Sequence, residues 1–411
     1  MMQSLFGLMV FVAIAWGFSE NRKLFPWKLV ATGLFLQLLI ALLLLKLPAF
    51  QSVFLLLNSA VMALEDATRA GTTMVFGYLG GGTLPFEEPF PGAAYLLAFR
   101  GLPMVLLISA LSSLLFYWRI LPRIVDLLSR LLRKSLSLGG AEGLGVATNV
   151  FVGMVESPLF IRPYLQKMTR SELFTVMTCG MATIAGTVMV LYASILGDLI
   201  PNIMGHILTA SLISAPAAVV IAKVMIPETE PSTDGAMVPI DDVNSSMEAI
   251  SQGTVQGVQL LIQIVAMLIV MVALVELVNL ALALLPMGSE PLTLQKIAGI
   301  VFAPVAWLIG IPWGEAMHAG SLLGVKTMVN EFVAYLQMTQ LNPGTLNEKS
   351  LIVMSYALCG FANPGSVGIM IGGMGAMAPE RRREVVGLGF RSLLAGTLAT
   401  CMTGAVAALL L

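Results

Sequence analysis

Charge is what this chain lacks. Of 411 residues only 11% are charged and 57% are apolar, with mean hydropathy +0.90. A soluble domain carries roughly 25% charged residues, so one water-soluble core of this length is excluded. Strand-like alternation is missing as well, and the long Leu-, Met- and Ala-rich runs read as membrane helices, which satisfy their own backbone in lipid. Cysteine is scarce: Cys179, Cys359 and Cys401 are too far apart for a metal pattern or a disulfide framework. Two histidines, His206 and His318, are too few for a metal cluster. No GxxxxGKS/T loop is present, so ATP is not the obvious energy source. A net charge of −1 argues against nucleic acid as a partner. No paired carboxylates set up a nucleophile or an attacking water, so nothing marks an enzyme. Residues 1–17 are apolar with no basic leader or small-residue cleavage site, and read as a retained first span.

The spans expected are 3–18, 29–47, 95–118, 173–196, 203–225, 258–282, 352–374 and 386–410. Residues 53–76 carry Glu65, Asp66 and Arg69 among apolar neighbours and read as an outer-surface amphipathic helix; 121–136 reads as an inner one. Residues 247–257 read as a partly amphipathic helix leading into the sixth span. Basic residues favour the cytoplasm. Arg22, Lys23 and Lys28, then Arg119 to Lys134, then Arg381, Arg382 and Arg383 all lie inside if the N-terminus lies outside.

Two stretches are too short and too broken to cross a core of roughly 30 Å. Residues 143–152 form a short apolar helix, broken at 153–158, with a return limb at 159–165; a second hairpin surrounds 320–335. Two spans carry their own breaks, at Thr183-Ile184-Ala185-Gly186-Thr187 and at Asn363-Pro364-Gly365-Ser366. The order of hairpin, broken helix and helix thus occurs twice, at 143–225 and 314–410, entering from opposite sides. That is the inverted repeat of many transporters. Pro312-Trp313-Gly314 and Gly324-Val325-Lys326 could each host the turn before the second hairpin.

The polar groups at these breaks carry the chemistry. Glu156 and Glu331 are costly carboxylates at membrane depth, where such groups mark a pathway or a binding role. Glu331 can accept two hydroxyl groups at once, or pair with Lys326 to hold the hairpin. Asn363 and Ser366 add an amide and a hydroxyl that suit a neutral, polyhydroxylated solute, or stabilise a plain kink. Asn149 and Thr183, with carbonyls near Val152 and Ile184, offer hard oxygens to a small cation, or serve as ordinary caps.

Several ordered motifs then carry a resemblance over nearly the whole chain: Gly145-Val-Ala-Thr-Asn-Val-Phe-Val-Gly, Glu156-Ser-Pro-Leu-Phe-Ile-Arg-Pro-Tyr, Met181-Ala-Thr-Ile-Ala-Gly-Thr-Val, Asn330-Glu-Phe-Val-Ala-Tyr and Cys359-Gly-Phe-Ala-Asn. The chain resembles the concentrative nucleoside transporters, in a bacterial member. The resemblance implies an all-α polytopic membrane protein: eight transmembrane helices, two re-entrant hairpins, an inverted repeat and an elevator motion. It implies a homotrimer in the bacterial inner membrane that moves nucleosides inward with Na⁺ as the coupling ion, H⁺ being the alternative, and no organic cofactor. By these boundaries 1–118 is scaffold, 119–225 the first half of the transport domain, 226–285 a linker with the sixth, scaffold span, and 286–411 the second half.

By the same resemblance Glu156 meets the nucleobase side and Val188 packs near the base. Glu331, Asn363 and Ser366 bind the ribose, and Phe361 lines the pocket. Asn149 and Thr183, with the backbone oxygens of Val152 and Ile184, hold sodium. Met154 and Val155 stand where many members have Gln and Thr, so two groups that read a pyrimidine are gone and purine nucleosides become plausible cargo. The family's hydroxyl at Thr183 favours Na⁺ over H⁺.

Overall fold

The computed structural model describes residues 2–87, 94–154, 156–235, 243–284 and 292–411. Helix α1 (Met2–Gly17) and α2 (Trp27–Lys46) are joined by the basic loop, and α3 (Pro48–Phe76) follows at once. Pro48 stands at the start of α3, where its missing N–H leaves no helical bond unmade. The third span is bent, from a single turn, α4 (Leu97–Arg100), into α5 (Met104–Tyr117). Helix α6 (Ile120–Leu136) buries Val125, Leu132 and Leu136 and exposes Arg130 and Asp126, which pair at 2.5 Å.

The first hairpin consists of α7 (Gly140–Asn149) and one turn, α8 (Ser157–Phe160). Its return limb is no regular helix. After α8 it is a 3-10 turn at Arg162–Tyr164, because Pro163 withholds the backbone donor that would continue the helix. The expected break then separates α9 (Arg170–Ala182) from α10 (Gly186–Leu196), and α11 (Ile203–Met225) closes the first repeat.

The sixth span and the helix that leads into it run on as one continuous helix, α12 (Ser246–Ala283). Gly253 and Gly257 do not break it. They let it lie directly on α5: a Cβ at Gly253 would stand 2.6 Å from the Ser109 carbonyl oxygen, and one at Gly257 2.9 Å from Leu106 Cα. Next, α13 (Leu294–Ile309) and α14 (Trp313–Met328) meet at a bend of 115°. The turn falls at 310–312, where Gly310 takes φ +123°, a conformation that suits glycine. Gly324 is not a turn; it lies inside α14 with its bare face on Ala298 of α13. The second hairpin continues into α15 (Glu331–Thr339), then a broken span, α16 (Glu348–Leu358) and α17 (Pro364–Met377), then α18 (Arg382–Leu410).

The eight expected spans are therefore α1, α2, α4 with α5, α9 with α10, α11, α12, α16 with α17, and α18. The chain is an all-α polytopic membrane protein with an inverted repeat. Helices α1 and α2 lie on α11 and α18, whereas α5 pairs with α12.

One face gathers the loops. Arg170 donates to Glu20 at 2.9 and 3.2 Å, and Arg391 donates to the same carboxylate. The Glu20 amide donates to the Met225 carbonyl at 2.9 Å, and Arg381 donates to the Leu165 and Met168 carbonyls. The Arg170 hydrogen bond leads in holding the Glu20 carboxyl below its ordinary range, against the effect of burial. A lowered folded pKa gives stability that is present above the unfolded value and lost as pH falls through the folded one. Glu20→Gln is expected to remove this acid-side loss, seen as a flatter pH profile of the thermal midpoint below neutrality. The network is partly exposed, so the effect stays under about 1 kcal/mol.

Candidate functional site

Four helix ends meet at the middle of the fold. A Cβ at Gly360, in the second break, would stand 3.0 Å from the carbonyl oxygens of both Met181 and Ala182 at the first break. The two broken spans therefore cross at their interruptions, backbone against backbone, which places the free amides and carbonyls of both repeats side by side.

The first hairpin is pinned to the first break. The Gly186 amide donates to the Phe151 carbonyl at 2.9 Å, and Thr183 Oγ1 lies 2.9 Å from both the Asn149 and Cys179 carbonyl oxygens. Asn149 Nδ2 donates to the Gly145 and Val176 carbonyls at 3.1 and 3.3 Å. Asn149 Oδ1 is buried and accepts nothing from any described residue. A buried oxygen without a donor is costly, and this one sits with the Thr183 hydroxyl at the ends of two helices. Ile184 follows the C-cap of α9, and Val152 lies three residues beyond the end of α7. Neutral oxygens at two negative helix termini suit a small, hard monovalent cation. Gly180 opens the space: a Cβ there would stand 3.4 Å from Asn149 Oδ1 and 2.8 Å from Met154 Cβ. Met154 is buried against this part of α9, and Val155 lies outside the described residues.

The second hairpin brings Glu331 to the same centre. Asn330 caps α15 by accepting from the Val333 amide at 2.8 Å, which sets Glu331 in the first turn. Its carboxylate is buried between the repeats. Tyr192 of α10 donates to Oε1 at 2.7 Å, and Asn363 Nδ2 donates to Oε2 at 3.1 Å. Asn363 Oδ1 also caps α17 by accepting from the Ser366 amide at 2.8 Å. One side chain thus both stabilises the kink and holds the carboxylate. Phe361 lies just before it, its carbonyl accepting from the Asn363 amide at 2.8 Å. Lys326 is not the partner of Glu331. Its ammonium donates to the Ala357 carbonyl at 2.8 Å and to Thr400 Oγ1 at 2.7 Å.

Helix α10 links the two places. A Cβ at Gly153, in the first hairpin tip, would stand 3.3 Å from Ala185 Cβ, immediately before α10. Val188 follows in the first turn, and Tyr192 lies one turn beyond on the same face. Glu156 stands at the tip with an exposed side chain that no other described residue bonds. Sequence reading missed Tyr192. Its only signal was the four-residue spacing from Val188, which an apolar helix gives equally to core residues. The Tyr192 ring packs 5.0 Å from that of Tyr335. A cavity of about 600 Å³ lined by Phe25, Trp27, Leu138, Glu142, Lys223 and Glu228 shares none of these residues.

Crossed discontinuous helices, hairpins that reach the same centre from opposite repeats, and a buried polar site define a secondary transporter. Family profiles narrow this. The Na⁺ dependent nucleoside transporter C-terminus matches residues 206–408, its N-terminus matches 6–79, and a nucleoside recognition (Gate) profile matches 98–199. The nucleoside permease NupC of Helicobacter pylori is 34% identical over 413 residues, covering 99% of this chain and 97% of that one. CNTnw in an inward-facing substrate-bound state superposes with a TM-score of 0.91 at 35% identity, over 100% and 98% of the two chains. A CNTnw variant in an outward-facing state gives 0.92 at 34%, over 100% and 97%. The chain belongs to the concentrative nucleoside transporter family.

Proposed function

We propose that this protein carries nucleosides into the cell together with Na⁺ by an elevator motion. The observation that carries the reading is the buried Glu331 carboxylate, held by Tyr192 from one repeat and Asn363 from the other. A carboxylate so placed accepts the two hydroxyls of a ribose, while the Asn363 amide and the Ser366 hydroxyl border the same sugar. Glu156 and Val188 receive the base, and Phe361 lines the pocket. Asn149 and Thr183, with the carbonyls of Val152 and Ile184, take the ion, and the orphaned Asn149 oxygen supports that assignment. The carbonyl of Asn149 bonds Thr183 while that of Phe151 bonds Gly186, so ion binding and closure of the first hairpin involve the same contact.

The moving unit comprises α6 to α11 and α13 to α18, which hold both hairpins and both broken spans. Helices α1 to α5 and α12 form the static scaffold, in which α5 lies along α12. Only Ala249, Gly253 and Gly257 of α12 are buried, which leaves an apolar length for lipid and for the two further copies of a homotrimer. The basic loops around Arg22, Arg170 and Arg381 share one face, in support of an N-terminus outside a bacterial inner membrane. A net charge of −1 argues against nucleic acid as a partner.

The test is uptake of radiolabelled adenosine and uridine into vesicles with Na⁺ and H⁺ gradients imposed separately. Uptake is expected to follow Na⁺; dependence on pH alone overturns the coupling. Base preference is read at Met154 and Val155. Replacing Met154 with Gln and Val155 with Thr restores two hydrogen-bonding groups, worth about 1 kcal/mol each. The double variant is expected to shift preference toward uridine by up to about 30-fold in direct competition, and an unchanged purine-to-pyrimidine ratio refutes the assignment.

A further inference from the structure

The two repeats solve one electrostatic problem in different ways. In each, the first helix of the hairpin ends against the first half of the broken span. Two helix C-termini converge there, each with carbonyls unpaired by its own helix and a partial negative charge of about half an electron. In the first repeat these are the ends of α7 and α9, and the side chains at the crossing, Asn149 and Thr183, are neutral. Asn149 Oδ1 is left without a donor. In the second repeat they are the ends of α14 and α16. Lys326, in the last turn of α14 and 1% exposed, reaches the Ala357 carbonyl in the last turn of α16 at 2.8 Å.

The closing helix of each repeat completes the match. In the first, Ser211 Oγ of α11 donates to the Val150 carbonyl at the end of α7, 3.0 Å away. In the second, Thr400 Oγ1 of α18 donates to the Thr397 carbonyl at 3.0 Å and accepts from Lys326 Nζ at 2.7 Å. A hydroxyl from the equivalent helix thus faces each crossing. Among the described residues Lys326 makes no ion pair, although such a pair is the usual reason for a buried lysine. Its charge is met instead by a helix-end carbonyl and a hydroxyl, the oxygen types that would otherwise take up a small cation.

We propose that the Lys326 ammonium is a tethered counterpart of the coupling ion. It fills in the second repeat the place that Na⁺ takes in the first, and so limits the carrier to one ion per nucleoside. The second hairpin carries at this crossing a cation built into the chain, whereas the first, beyond its own hydrogen bonds to the break, receives one that comes and goes. The inference rests on the Na⁺-coupled reading above.

The experiment uses the purified full-length protein. Na⁺ is titrated against thermal stability in detergent and against nucleoside uptake in proteoliposomes, with charge moved per nucleoside recorded. Wild type is expected to show a Hill coefficient near one and one charge per nucleoside. Lys326→Ser opens room beside the Ala357 and Thr400 oxygens, and its Hill coefficient is expected to rise toward two in both readouts. Lys326→Met keeps the length without the charge and is expected to lose stability that Na⁺ does not restore. Two ions per nucleoside in wild type overturns the proposal, as does an unchanged one-ion titration in Lys326→Ser. If Lys326→Ser does not fold, the wild-type ion count decides. Wild-type uptake and stability indifferent to Na⁺ would instead remove the Na⁺-coupled reading itself, and this inference with it.

Discussion

Glu331→Gln is expected to raise the half-saturating nucleoside concentration by about 10- to 100-fold, the range given by losing one or more charge-assisted hydrogen bonds of about 1.5–3 kcal/mol. The Tyr192 hydroxyl can still donate to the remaining carbonyl oxygen. The new amide, however, meets Asn363 Nδ2 donor to donor where the carboxylate accepted at 3.1 Å. The second acceptor for the ribose also disappears. The substitution keeps shape and removes charge, so α15 and its Asn330 cap should persist. A transport assay at matched membrane abundance checks the loss, and thermal stability in detergent checks the fold. Wild-type affinity in a stable Glu331→Gln protein would refute the ribose role. A 2′-deoxynucleoside supplies a sharper control: it lacks one hydroxyl, so it should lose less on substitution than the parent nucleoside.

Thr183→Val is expected to raise the half-saturating Na⁺ concentration about tenfold or more, since one lost oxygen contact of about 1.5 kcal/mol corresponds to a decade. Valine matches threonine in shape but brings a methyl to where Thr183 Oγ1 lies 2.9 Å from the Asn149 carbonyl. Thr183→Ser restores the hydroxyl and should recover wild-type Na⁺ dependence. At saturating Na⁺ the Val variant should approach the wild-type nucleoside affinity, which separates an ion ligand from a general structural role. The measurement is Na⁺ activation of uptake for all three proteins; equal curves for Val and wild type would remove Thr183 from the ion site.

Local chemistry made much of the site readable. Proline and glycine at 364–365 and small residues at 183–187 announce interrupted helices, and the structure breaks the chain at both. Asn149, Thr183, Glu331 and Asn363 stood out because polar side chains are expensive at membrane depth. Gly324 left the turn before the second hairpin open for the same reason that Gly186 and Gly365 informed. A glycine opens a helix or lets a neighbour come close, and only the neighbour shows which. In α12 and α14 the neighbours are α5 and α13, and the helices run on unbroken. Tyr192 was hidden because an aromatic residue in an apolar half-helix looks like core until its hydroxyl is seen on Glu331.

Hydropathy, chain length and helix-breaking residues act locally, and they sufficed to mark a helical membrane protein with two broken spans and two short hairpins. Its ordered motifs also carried the family. Tertiary structure alone decided the partners of the buried charges. Lys326 and Glu331 are five residues apart and of opposite sign, yet one turns to Ala357 and Thr400 and the other to Tyr192 and Asn363. The break at 329–330 ends one helix and starts another, so the two side chains leave the hairpin in different directions. Spacing along a chain sets partners only while the helix continues; beyond its end, the helices that pack against it set them.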